Sequence, residues 1–158
     1  MVRVCFVCLG NICRSPTAEG VMRSLLEDRT LAESVHVESA GTSGWHVGER
    51  PDPRSRAAAS TRGVVIDGQA QHFQAKDFER FDYIVGLDSS NRDDLIALAS
   101  NEAERAKVQL FLDFTTSHQG QDVPDPYYGG ANGFEHVLDL CESACTGLLE
   151  HMSARGEV

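Results

Sequence analysis

A chain of 158 residues and 17.2 kDa has room for one domain with a real core and too little for two. Apolar residues make up 41% and charged residues 24%, which excludes both a disordered chain and a small disulfide scaffold. Fourteen basic against 24 acidic residues leave a net charge of −10, which sets nucleic acid aside as a partner.

Residues 2 to 8, VRVCFVC, form a β-branched and aromatic run followed by Gly10-Asn11, and predict a buried strand that ends in a turn. Pro16 and the apolar residues Ala18, Val21, Met22, Leu25 and Leu26 predict a helix from about residue 15, with Ser15 as its cap. Residues 35 to 40 predict a strand, and residues 52 to 63 a helix closed by Gly63. A strand over 83 to 88, a helix over 89 to 100 and a fourth strand over 107 to 114 follow. From Phe134 through Val137, Leu138, Cys141, Cys145, Leu148 and Leu149 to Met152 the apolar residues step by three or four, the mark of a helix with one wide buried stripe. Cys141 and Cys145 lie on that stripe and read as core.

Strands alternating with helices predict an α/β fold: a three-layer sandwich, its central four-stranded parallel sheet flanked by helices and joined by right-handed crossovers. Residues 1 to 158 read as a single domain, with no repeat and no dividing linker. The segments 41 to 52 and 115 to 133 carry no periodicity and read as functional loops. The longest apolar stretch, Val4 to Leu9, is too short to span a bilayer and lacks the layout of a signal peptide. The expected location is therefore the cytoplasm, away from membranes, where five cysteines stay as thiols.

Chemistry concentrates in Cys8-Leu9-Gly10-Asn11-Ile12-Cys13-Arg14-Ser15, the predicted turn between first strand and first helix. Ligands of α/β sheets bind beyond the carboxyl ends of strands, where this turn lies. With Gly10 permitting unusual backbone angles, successive N–H groups can line a nest for a tetrahedral dianion, and the following helix adds partial positive charge. The same field favours a thiolate at Cys8, and Arg14 can clamp two equatorial oxygens with its planar fork. The plain alternative for Cys8 is a buried strand-end thiol. Cys5 and Cys8 form C-x-x-C, but strand parity puts them on opposite faces, which argues against a redox pair. A zinc site at Cys5, Cys8 and Cys13 lacks a fourth ligand nearby in sequence, so no metal is expected.

The octapeptide CLGNICRS, together with Asp125-Pro126-Tyr127-Tyr128-Gly129, resembles the low-molecular-weight protein tyrosine phosphatase family. SAGTSGW (39 to 45), RPDPRS (50 to 55) and FDYIVGLDSSN (81 to 91) extend the similarity over nearly the whole chain. The resemblance implies that Cys8 attacks phosphorus to give a phosphocysteine, that Arg14 holds the transferring group, and that Asp125 is the general acid. Asp122, in the same loop, is the rival acid. It further implies that Ser15 hydrogen-bonds the leaving sulfur, that Asn11 holds the loop in shape, and that Gly10 and Cys13 complete the cradle. Trp45, Tyr127 and Tyr128 would wall a slot for a phenyl ring, touched by Leu9 and Ile12 from the loop; packing of loops onto the body is the duller reading of these aromatics. Expected partners are phosphotyrosine-containing proteins, with inorganic phosphate as product and no cofactor. Under oxidant, a Cys8–Cys13 disulfide is implied.

Three other readings compete. Arsenate reduction needs further cysteines, and none lies between Cys13 and Cys141. Phosphoarginine hydrolysis is associated with Thr at the position of Ile12. A binding module without turnover has no need of the thiolate. One departure from the family stands out: Gly68-Gln69-Ala70-Gln71 replaces an H-x-A-R stretch, with His72 displaced, so the loop must be braced in another way.

Overall fold

A computed structural model of the chain describes residues 1–128 and 130–158, without the side chains of Tyr128 and Ala131. The first apolar run forms β1, Val2–Cys8. It pairs in parallel with β2, Val35–Gly41, on one side and with β3, Tyr83–Gly86, on the other. A short β4, Val108–Leu110, pairs in parallel with β3, so the sheet runs β2-β1-β3-β4.

The period of two along β1 divides the core. Val4, Phe6 and Cys8 join one apolar cluster with Ala18 and Met22 of α1 (Arg14–Asp28) and with Leu138, Cys141 and Leu148 of α5 (Ala131–Ala154). Cys5 and Val7 face the other cluster, with Phe73, Phe78, Phe81 and Leu95. Leu95 belongs to α3, Ser89–Leu98, while Ala59 of α2, Pro53–Ser60, joins the first cluster. Helices thus cover both faces, as the alternation predicts, and Cys5 and Cys8 do lie on opposite faces. Burial pushes the thiols of Cys141 and Cys145 well up, which suits packing and not reactivity.

Several boundaries differ from expectation for local reasons. The fourth strand stops at Leu110, because β3 offers it no partner beyond Gly86; Phe111–Phe114 turns into a 3-10 helix instead. That turn brings Phe111 edge-on to Phe6, ring centroids 5.2 Å apart. β3 itself ends at Gly86, since Asp88 caps α3 by accepting from the Asn91 N–H at 2.7 Å. α2 is shorter than 52 to 63: Asp52 caps it, and Gly63 (φ 73°) lets the Val64 N–H reach back to the Ala59 carbonyl at 3.0 Å. Two short elements carry no period to betray them, a 3-10 turn at Ala75–Glu79 and a single helical turn, α4, at Glu102–Arg105.

The order β2-β1-β3 creates the switch point that matters. From β1 the chain crosses to β2 on one side, whereas β3 lies on the other, so a crevice opens at the carboxyl end of β1. Cys8 is the last residue of that strand.

Candidate active site

Between Cys8 and Arg14 the chain makes a tight loop, four of whose carbonyls accept backbone hydrogen bonds. The Cys8 carbonyl accepts from Thr42 N–H at 2.8 Å, Leu9 from Ser43 at 3.0 Å, Ile12 from Asp52 at 2.8 Å, and Cys13 from Thr17 at 3.2 Å. A trans peptide directs N–H opposite to C=O, so the N–H groups of Leu9, Gly10, Cys13 and Arg14 point away from those partners. Such an orientation is what an anion nest requires. The close approach explains a glycine outside the loop: a Cβ at Gly41 would stand 2.7 Å from the Leu9 carbonyl oxygen.

The left-handed residue of the loop is Asn11 (φ 58°), not Gly10. Asparagine tolerates that region when its side chain is bonded locally, and here it is held on both sides. Its amide nitrogen donates to Ser15 Oγ at 2.8 Å and to Ser39 Oγ at 2.9 Å, and its Oδ1 accepts from the Gln71 N–H at 2.9 Å. Ser39 in turn donates to Glu19 at 2.6 Å, and Arg23 pairs with Glu19 at 2.7 Å. Burial raises Glu19 despite those two partners, which act the other way. The segment that departs from the family therefore supplies the brace through the backbone of Gln71, whose side chain also donates to the Ser39 carbonyl at 2.8 Å. Gly10 is small for another reason: the His46 ring occupies its Cβ direction, with Cδ2 at 2.9 Å from an added Cβ.

Cys8 is 3% exposed, its Sγ 3.0 Å from Ser15 Oγ and 3.3 Å from the donating Asn11 N–H. Asn11 donates to the Ser15 oxygen, whose own proton has two acceptors within reach, the sulfur at 3.0 Å and the Ala40 carbonyl at 3.4 Å. This overturns the expectation of Ser15 as helix cap: α1 begins at Arg14, and the N-cap, Cys13, makes no side-chain capping bond. The Ser15 hydroxyl lies against the Cys8 sulfur instead.

Arg14 is 4% exposed and fixed by Asp88 at 2.6 Å and the Val123 carbonyl at 3.1 Å, with Asp125 3.7 Å from its other terminal nitrogen. Burial works against its charge, but Cys8, Asp88 and Asp125 outweigh burial and raise it, so the guanidinium stays charged. Asp88 and the Ser39–Glu19 chain were not singled out in the sequence; the capping pattern of Asp88 hides its second contact.

Cys8, Leu9, Gly10, Ile12, Cys13 and Arg14 line a cleft of about 240 Å³ with Ser43, Trp45, His46, Asp125 and Tyr127. Trp45 is 82% exposed at the rim. Asn11 and Ser15, expected among the substrate-binding residues, are buried and do not line the cleft. Tyr128, the other aromatic of the expected slot, has its side chain outside the described residues, as does Gly129. Asp122 is turned away: its carboxylate accepts from Ser89 N–H at 2.8 Å and Ser89 Oγ at 3.1 Å, which ties the loop to α3. Burial, with Asp52 close by, pushes Cys13 up to about 12 against the opposing pull of Ser55. Among the described residues no group of three or more His, Cys, Asp or Glu is placed to hold a metal ion. Nor is any described helix long and apolar enough to cross a membrane.

Known proteins resemble the chain in sequence and in fold. A family model for low molecular weight phosphotyrosine protein phosphatase matches residues 3–157. A low molecular weight protein-tyrosine-phosphatase of Streptomyces coelicolor is 49% identical over 149 residues, covering 93% of this chain and 91% of the relative. The crystal structure of a protein tyrosine phosphatase from Entamoeba histolytica with Hepes in the active site superposes with a TM-score of 0.93 at 38% identity, covering 100% of both chains. That of a Drosophila arginine phosphatase superposes at 0.87 with 32% identity, covering 94% of this chain and 96% of the other. With a thiol, a buried arginine and a carboxylate gathered at the end of β1, and with these matches along its length, the chain belongs to the low-molecular-weight phosphotyrosine protein phosphatase family.

Proposed function

We propose that the cleft hydrolyses phosphotyrosine in proteins, and small aryl phosphates, through a phosphocysteine intermediate. One observation carries the reading: Cys8, Arg14 and Asp125 line the same cleft, with Asp125 3.7 Å from the arginine that would hold the phosphoryl group. In the first step the Cys8 thiolate bonds to phosphorus as the P–O bond to the aryl group breaks, and Asp125 gives its proton to the departing oxygen. Arg14 and the inward amides hold the equatorial oxygens. In the second step a water oxygen bonds to phosphorus, its proton passes to Asp125, and the S–P bond breaks to return the thiolate. Ser15 stabilises that leaving sulfur.

Neither step uses a metal or a cofactor. Trp45 and Tyr127 flank the slot, and Ile12 dries its floor, which suits a phenyl ring better than a guanidinium. We therefore favour phosphotyrosine over phosphoarginine despite the likeness to the Drosophila enzyme. The cytoplasm remains the expected setting. A locally positive cradle around Arg14 would draw an anionic substrate to an acidic protein, with salt-dependent rates.

Phosphate release from aryl phosphates should persist in chelator. Asp125→Ala should slow phenyl phosphate by about 10²- to 10³-fold and remove the basic limb of the pH profile. A variant that keeps both rate and limb would transfer the acid role elsewhere.

The reading extends to oxidation. Peroxide would convert the Cys8 thiolate to a sulfenic acid, and Cys13 would then displace water to close a disulfide, shielding Cys8 from further oxidation. Cys13 is protonated at neutral pH, so its proton must leave as that bond forms. Peptide mapping after brief peroxide treatment should recover the linked pair; Cys8 as sulfinic acid beside a free Cys13 would refute the pairing.

A further inference from the structure

We propose that Arg54, backed by Asp52, is a positioning residue for the acid: the pair is a strut from the phosphate loop to the segment that carries Asp125. This rests on the reading of Asp125 as general acid.

One end of the strut is fixed to the loop. The Asp52 N–H donates to the Ile12 carbonyl at 2.8 Å, within the turn that cradles phosphate. The buried Asp52 carboxylate caps α2 by accepting from the Arg54 N–H at 2.8 Å, and it grips the guanidinium of the same residue twice, at 3.1 Å from Nε and 3.0 Å from Nη2. Burial works to raise Asp52, but these bonds win and hold it lowered, so the carboxylate is ionised beside the guanidinium throughout the neutral range.

The other end is fixed to the acid segment. Arg54 Nη2 donates to the Tyr127 carbonyl at 3.2 Å. The guanidinium carbon, Cζ, lies 5.3 Å from the centroid of the Tyr127 ring and 4.8 Å from that of Phe134, in the first turn of α5. Tyr127 then reaches the acid directly, its N–H donating to Asp125 Oδ1 at 3.0 Å. Only Pro126, with its fixed φ, stands between them, so where Arg54 holds the Tyr127 peptide, the Asp125 carboxyl must follow. A planar fork is needed because one group must grip a carboxylate edge, reach a carbonyl and stack on two rings; an ammonium does one of these.

The strut couples two loops that must act together. A displacement of the acid by about 1 Å suffices to lose much of its effect. The loss should appear where protonation matters, on poor leaving groups, and not where the leaving group departs unaided.

The test compares kcat/KM for aryl phosphates from p-nitrophenyl to phenyl phosphate in the wild type, Arg54→Ala, Arg54→Lys, Asp125→Ala and Arg54→Ala/Asp125→Ala. Arg54→Ala should lower phenyl phosphate turnover about 10-fold and p-nitrophenyl phosphate turnover less than about 3-fold, with Arg54→Lys no better. Once Asp125 is already alanine, removing Arg54 should change neither substrate further. An equal loss on all leaving groups, or a full additional loss in the double variant, overturns the strut while leaving the acid assignment standing. If Asp125→Ala itself shows no dependence on leaving group, the acid assignment falls and takes the strut with it.

Discussion

Cys8→Ser is expected to abolish turnover of aryl phosphates, by about 10⁴-fold or more, while inorganic phosphate still binds within a few-fold of the wild type. The two halves of the result come from different atoms. A hydroxyl oxygen is a far weaker nucleophile toward phosphorus than sulfur, and the Ser15 and Asn11 contacts, at 3.0 and 3.3 Å, offer it no base. The anion, by contrast, is held by loop amides and by Arg14, which Asp88 and Val123 keep in place whatever occupies position 8. Steady-state rates with phenyl phosphate, set beside phosphate binding by calorimetry, separate chemistry from cradle. A serine variant that still turns over at a hundredth of the wild-type rate would mean that phosphorus is attacked by another group, and the phosphocysteine route would be lost. Loss of binding together with turnover would instead mean that the thiol side chain itself shapes the cradle.

The sheet was legible because its signals are local. The run VRVCFVC and the apolar steps of α5 each carry a period that survives any surroundings, and their alternation implies a parallel sheet. Element ends were less legible because partners decide them. Nothing within residues 107 to 114 tells the chain to stop at Leu110; β3 does, by ending at Gly86. The single-turn α4 rests on one cap, Asn101 accepting from the Glu104 N–H at 2.8 Å, and has no stripe for a pattern to reveal.

The site divides in the same way. Cys8 and Arg14 sit in one octapeptide, and Asp125 stands in a motif with its own spacing, so all three can be singled out by resemblance and the structure brings them to one cleft. What holds them shows less in sequence, because much of it comes from distant segments and part of it from backbone groups. Asn11 is braced by the Gln71 N–H, 60 residues away, and a main-chain donor leaves no trace in residue identity. Ser15 illustrates the opposite error. A serine before a proline and an apolar run fits a helix cap, yet α1 begins one residue earlier and the hydroxyl goes to Cys8. Gly10 is a third case: the turn suggests backbone freedom, whereas the left-handed angle is taken by Asn11 and the glycine makes room for His46. Local rules fail at the site because the loop is built to present groups to a ligand, and this requirement overrides ordinary turn and cap chemistry.

Arg14→Lys should lower kcat by about 10³-fold although the charge is kept. The guanidinium has two tasks that one ammonium cannot share. Nη1 is committed to Asp88 at 2.6 Å and the Val123 carbonyl at 3.1 Å, leaving Nη2 and Nε to meet two oxygens of the transferring group. A lysine placed on the same stem settles on Asp88, the fixed anion, and draws away from the cleft; its stabilisation of spreading equatorial charge is then mostly lost. Because Cys8, Asp88 and Asp125 together raise Arg14 above its already high range, its charge is constant between pH 4 and pH 9, and no limb of the wild-type pH profile comes from it. The loss should therefore be uniform across pH and across leaving groups, unlike that of Asp125→Ala. Since Asp88 keeps a cationic partner, thermal unfolding should show a stability loss of only about 1–2 kcal/mol. A lysine variant retaining more than about a tenth of wild-type kcat would show that charge alone suffices at this position, and the planar clamp would have to be given up.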